Sequence, residues 1–115
     1  MTTEPIYHIC RRSDWEGCRE FYPGPPGDFI HFSTAAQVAD SATQHWAGEG
    51  GLVLLTVDPL SLGDTLRWEP SRRDILFPHL YGSLPKAAVF RVDDLPLGAD
   101  GRHVFPAGVV PSGDA

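Results

Sequence analysis

His8, His31 and His79 stand in three separate segments, each beside aromatic residues, and Glu69 lies shortly before the third. Imidazole titrates near neutral pH and can act as acid, base, hydrogen-bond donor or metal ligand. Residues this scattered make a site only if folding brings them together. For a metal the ligand types are right, but no pair has the i, i+4 helical spacing or the H-x-H strand spacing that places two imidazoles on one ion. No metal ligand is assigned, and a metal-dependent hydrolase ranks behind the other functions considered. Ser33 lies two residues after His31 on the same strand face, within reach of it, but lacks the G-x-S-x-G elbow that exposes a hydrolase serine. Ser33 and Thr34 precede a helix, so their hydroxyls and the first helical amides would suit a phosphate oxygen. The competing assignment for His31 is a core histidine tied to a backbone carbonyl.

The elements that must position these groups are legible from hydrophobic period and punctuation. Phe29-Ile30-His31-Phe32-Ser33-Thr34 reads as a strand running into a helix cap, with Phe29, His31 and Ser33 on one face and Ile30 with Phe32 on the other. Ile6-Tyr7-His8-Ile9-Cys10 predicts a first strand. Ser13-Asp14-Trp15-Glu16 matches a capping box, which predicts a helix over 14–21 with Trp15, Cys18 and Tyr22 on its buried side. Thr34-Ala35-Ala36-Gln37 is a second capping box and predicts a helix over 35–47, ended by Gly48, Gly50 and Gly51.

Leu52 to Val57 is an unbroken apolar run of strand length, which requires burial on both faces and a central place in a sheet. Leu66 to Glu69 predicts a short strand with Leu66 and Trp68 inward. Phe77-Pro78-His79-Leu80-Tyr81-Gly82 predicts a rigid loop presenting His79 and Tyr81, and Ala87 to Val92 a last strand with Ala88, Phe90 and Val92 on the core face. The Gly24–Asp28 segment, rich in Pro and Gly, would form the rim of a pocket.

A chain of 115 residues suits a single domain able to bury about 65% of its unfolded surface in one core. The expected fold is α+β, a bent or split mixed sheet with two short helices over residues 1–106, followed by a flexible tail at 107–115. A net charge of -6 with no basic stripe argues against a long nucleic acid as partner, since nothing would release counterions from a phosphate backbone. Cys10 and Cys18 do not form a C-x-x-C pair and read as free thiols. Neither a leader nor an apolar run of membrane-spanning length is present, which points to the cytoplasm and away from a membrane.

The first-strand motif around His8, the H-F-S-T segment at 31–34 with Gln37, the 52–58 strand, Glu69 and the F-P-H-L-Y-G segment at 77–82 together resemble the successive motifs of the domain of unknown function 952 family. The likeness covers most of the chain, and it departs where the family's Asp-Gly-Phe order reads Gly27-Asp28-Phe29. That family in turn resembles the ADP-ribosyltransferases, whose small split domains hold NAD between two sheets. The resemblance implies an ADP-ribosyltransferase-like fold and an enzyme that transfers ADP-ribose from NAD or cleaves it. NAD would be a substrate and not a permanently bound cofactor, and the acceptor is left open.

It also implies site residues. Joined to the residues read above from type and placement, it gives Glu69, His31 and His79 as the expected catalytic groups, and His8, His31, Ser33, Thr34 and Tyr81 as the expected ligand-binding ones. His8 would hold a ribose, His31 with Ser33 the nicotinamide end, and Glu69 the reacting ribose, where a carboxylate stabilises the oxocarbenium-like state of N-glycosidic cleavage. The alternative function is a non-catalytic module of the same fold that binds a nucleotide or another small ligand.

Overall fold

Two sheets share the segment from Ile30 to Ser33, and this sharing sets the architecture. The computed structural model describes residues 4–109. In the first sheet β1 (Ile6–Arg11), β4 (Leu52–Val57) and β8 (Val89–Leu95) run antiparallel with β4 in the middle. In the second, β6 (Leu76–Leu80) lies between β3 (Ile30–His31) and β5 (Leu66–Pro70). A two-stranded ribbon pairs β2 (Phe21–Tyr22) with β7 (Leu84–Pro85), and the helices are α1 (Arg12–Glu16) and α2 (Ala35–Trp46). The result is an α+β domain with its sheet split into three pieces, as expected, but the sheet is not mixed: every pair of these strands is antiparallel.

The crossover between the sheets takes two residues. Phe32 still donates its N–H to the Pro78 carbonyl at 2.9 Å. Ser33 then exchanges both backbone hydrogen bonds with Tyr7 at 2.8 Å each, so the next residue belongs to the edge of β1. Proline offers no N–H to a ladder, and β3 leaves β6 at Pro78.

All six residues of β4 are buried because each face meets a separate core. Val53, Leu55 and Val57 face a cluster containing Ile6, Ile30, Phe32 and Leu80; Leu52 and Leu54 face one containing Tyr7, Ile9, Val38 and Ala42. Phe32 is fully buried, worth about 2–3 kcal/mol of transfer free energy. The start of α2 follows the sequence: Gln37 accepts the Thr34 N–H at 3.0 Å in a capping box. The same side chain donates to the Leu76 carbonyl at 2.8 Å, tying α2 to β6.

Several expectations are corrected. The first helix is a five-residue turn that begins at Arg12 and closes at Gly17, not a helix over 14–21. Ser13 does not cap it, because the N-cap position is Arg11 and Ser13 already lies inside the turn, while the pairing of Phe21 and Tyr22 with Leu84 and Pro85 leaves no room for another helical turn after it. The 77–82 segment is for the most part a strand, with its sheet position between two partners deciding what proline alone argued against. Trp68 is partly exposed, and Phe90 and Val92 are exposed on the edge strand β8, where the partly buried Val89 and the buried Leu95 make the core contacts. Val109, within the expected tail, packs in the second core cluster, and residues 110–115 of that tail lie outside the described residues.

Candidate functional site

The second sheet has one face for the core and one for chemistry. Ile30, Leu80 and Leu66 are in line across it and belong to the core side. One residue along, the register aligns His31 with His79 and His79 with Arg67. Alternation adds Glu69, Phe77 and, at the strand end, Tyr81 to the same side. Phe29 completes the face by stacking on His79, ring centroids 3.9 Å apart and planes 18° from parallel.

Glu69 organises this face. Its Oε1 accepts from the Tyr81 hydroxyl at 2.6 Å and from His79 Nδ1–H at 2.9 Å. These two donors, Tyr81 first, hold its carboxyl below the usual carboxylate range, and the same bond raises the Tyr81 phenol. His79 is buried while the Glu69 side chain is 33% exposed, so the pair spans from interior to solvent. The Arg67 guanidinium lies over the Tyr81 ring, 5.4 Å from its centroid.

Beside this face opens a cavity of about 670 Å³, lined along β1 from Tyr7 to Arg11, by Tyr22 to Pro26, and by His31, Ser33, Ser41, His45 and Trp46. His8 is built into its wall by both ring nitrogens: Nδ1 donates to the His31 carbonyl at 2.7 Å, and Nε2 accepts from the Tyr22 hydroxyl at 2.9 Å. Burial pushes the His8 imidazole down to about 4, against a smaller opposing effect of the carbonyl bond, so it is neutral at physiological pH. Burial likewise pushes the Cys10 thiol up to about 11 and raises Tyr22. Ser33 and Ser41 share a hydroxyl hydrogen bond of 2.7 Å. Gly24 at the rim has φ +76°, and a Cβ there would come within 2.5 Å of the Ile30 side chain, so the loop closes on β3 only with glycine.

A family model described as a protein of unknown function (DUF952) matches residues 9–92. The chain belongs to this family. Among solved structures it is similar to the crystal structure of protein CC0527 from Caulobacter crescentus, with 37% identity, 87% of this chain and 93% of that chain covered, and a TM-score of 0.83. The solution NMR structure of CC0527 matches with 38% identity, 85% and 90% coverage, and a TM-score of 0.77. No curated protein matches the chain.

In this DUF952 domain the expected site residues divide into two adjoining groups. His8, His31 and Ser33 line the cavity; Glu69, His79 and Tyr81 stand together on the sheet face next to it. His31 belongs to both, its ring 5.4 Å from that of His79. Thr34 does neither and caps α2. The Pro/Gly segment does form the rim, through Gly24, Pro25 and Pro26. Tyr22, Ser41 and His45 escaped sequence reasoning. The i, i+4 spacing of Ser41 and His45 on α2 was their one available signal, since it carries both to the side facing Ser33 and His31. Among the described residues no group of three His, Cys, Asp or Glu side chains is arranged to hold a metal ion, and no helix is long and apolar enough to cross a membrane. Both cysteines are free.

Proposed function

We propose that this domain binds a nucleotide of the NAD or ADP-ribose type in the cavity beside β1. The observation that carries this is the cavity itself: about 670 Å³, walled by aromatic and aliphatic groups, with Tyr22, Ser33, Ser41 and His31 among its polar lining residues. That volume lies within the range of small-molecule sites, and few convergent polar groups among apolar walls is their usual makeup. Arg11 and His45 at the cavity lining supply donors for phosphate oxygens, while Trp46 offers a ring for a base. His8 serves the ligand indirectly, because both its nitrogens are committed: it holds Tyr22 and the His31 backbone in place. The ADP-ribosyltransferase-like fold implied by the sequence motifs supplies the choice of nucleotide.

Cleavage of NAD, with ADP-ribose passed to water or another acceptor, is the second reading. Its support is that the ionised Glu69 stands one ring, His79, away from His31. Glu69, His31 and His79 would then be catalytic, with the carboxylate stabilising the positive ribose. The test is a titration of the full chain with NAD, ADP-ribose and AMP followed by NMR, and an assay of the NAD sample for free nicotinamide. Shifts at His31, Ser33 and Ser41 are expected. Absence of shifts with all three nucleotides overturns the binding reading, and nicotinamide release lost in Glu69→Gln establishes the enzymatic one.

A further inference from the structure

We infer that Glu69 is a positioning residue for the cavity: acting through the His79 ring, it sets the placement of the His31 imidazole that lines it. The inference rests on that cavity being the ligand site, yet Glu69 itself lines none of it.

Glu69 Oε1 accepts from His79 Nδ1 at 2.9 Å and from the Tyr81 hydroxyl at 2.6 Å, so the carboxylate cannot turn without breaking two charge-assisted bonds. A carboxylate partner requires the proton on Nδ1, so of the two neutral tautomers the bond selects Nδ1–H, with Nε2 the bare nitrogen. Phe29, stacked at 3.9 Å, fixes the plane of the same imidazole. Tautomer and orientation of His79 are therefore both determined, one by Glu69 and the other by Glu69 with Phe29.

His31 is the residue that receives this order. It is the register partner of His79, and its ring meets His79 at 5.4 Å, Phe77 at 5.1 Å and His45 at 6.0 Å. Its backbone is separately anchored by His8. Among these rings His79 is the one bonded to Glu69, whose carboxylate sets its hydrogen-bonding pattern. Release of His79 from Glu69 would change both the ring edge and the proton presented to His31, and a binding group displaced by a fraction of an ångström loses its ligand geometry.

The test uses the full chain labelled with ¹⁵N-histidine, comparing wild type with E69A, E69Q and Y81F by long-range ¹H–¹⁵N correlation, with thermal melting alongside. Wild type is expected to show His79 as the Nδ1–H tautomer. E69A should convert it largely to Nε2–H and move the His31 ring resonances; E69Q, whose amide oxygen still accepts the Nδ1–H, should keep the wild-type pattern, and Y81F should give a smaller change than E69A. ADP-ribose titration of the same samples should show binding weakened at least threefold in E69A and restored in E69Q. A purely local role for Glu69 would leave His31 unmoved, and an E69A spectrum with wild-type His31 resonances overturns the inference. If ADP-ribose does not bind wild type, the functional reading falls while the tautomer and the His31 resonances still decide the positioning role.

Discussion

His8 and His79 are nearly matched in burial, at 5% and 4% exposure, and each donates an Nδ1–H to an oxygen, yet their surroundings make them different tools. His8 meets a neutral carbonyl and a phenol, has no carboxylate hydrogen-bonded to it, and is kept uncharged by burial. His79 meets a carboxylate that reaches solvent. One is a joint that locks β1, β2 and β3 together; the other is a polarised pair on an open face. Burial alone thus says little about what a histidine does, and the charge of its partner says much.

The largest effect expected from this contrast is on stability at His8. His8→Ala strands the His31 carbonyl and the Tyr22 hydroxyl in the interior and opens a hole between them, which should cost about 3 kcal/mol in urea unfolding. A cost within error of zero would mean that His8 is held ready for a ligand and is not a joint.

Acid should separate the two regions by pH window. The folded-state value of His8, about 4, lies below its ordinary 6.5, so between them the unfolded chain binds the additional proton. Stability conferred by neutral His8 is complete above about 6.5 and is lost as pH falls towards 4, by roughly 3 kcal/mol at about 1.4 kcal/mol per unit. The Glu69 contribution has its own window: its carboxyl is depressed below 4.5, so its share is present above that value and lost only in stronger acid. Unfolding measured at successive pH values should show the upper slope in wild type and lose it in His8→Gln. Persistence of that slope in His8→Gln would assign it to another group.

Smaller effects are expected on the open face. Phe29→Ala removes the stack on His79 and should cost about 1 kcal/mol in the same assay, while loosening the His79 ring detectably by NMR. Smallest of all, Glu69→Gln should leave the melting temperature within error of wild type, because the amide oxygen can replace the carboxylate as acceptor at a site open to water. A marked drop in melting temperature would make the open face a second structural joint and erase the contrast.

Much of the frame was legible in the residues. The Leu52–Val57 run had only one stable destination, since six apolar residues in a strand need cover on both sides. The Thr34–Gln37 box placed the start of α2, because capping chemistry is local. Errors fell where a distant partner overruled a local signal. Ser13 and Glu16 spelled a helix that pairing of Phe21 and Tyr22 with β7 cut short. Pro78 argued for a loop in what is a middle strand, and the apolar alternation of β8 faces solvent because no further strand covers Phe90 and Val92 among the described residues.

Residue types and spacing singled out His8, His31, Ser33, Thr34, Glu69, His79 and Tyr81 as candidates, because groups able to titrate or donate beside aromatic residues are few in a chain of this size. Only the tertiary structure decided which of them meet: that His8 spends both nitrogens inside the protein, that Tyr22, Ser41 and His45 join the cavity, and that Glu69 bonds His79 and Tyr81 without itself lining the cavity. The physical reason lies in range. A strand's alternation assigns a side chain to a face from local sequence, but its hydrogen-bond partner across that face is set by register between strands far apart in the chain, here His31 against His79 and His79 against Arg67, and that register is fixed by the packing of the whole core.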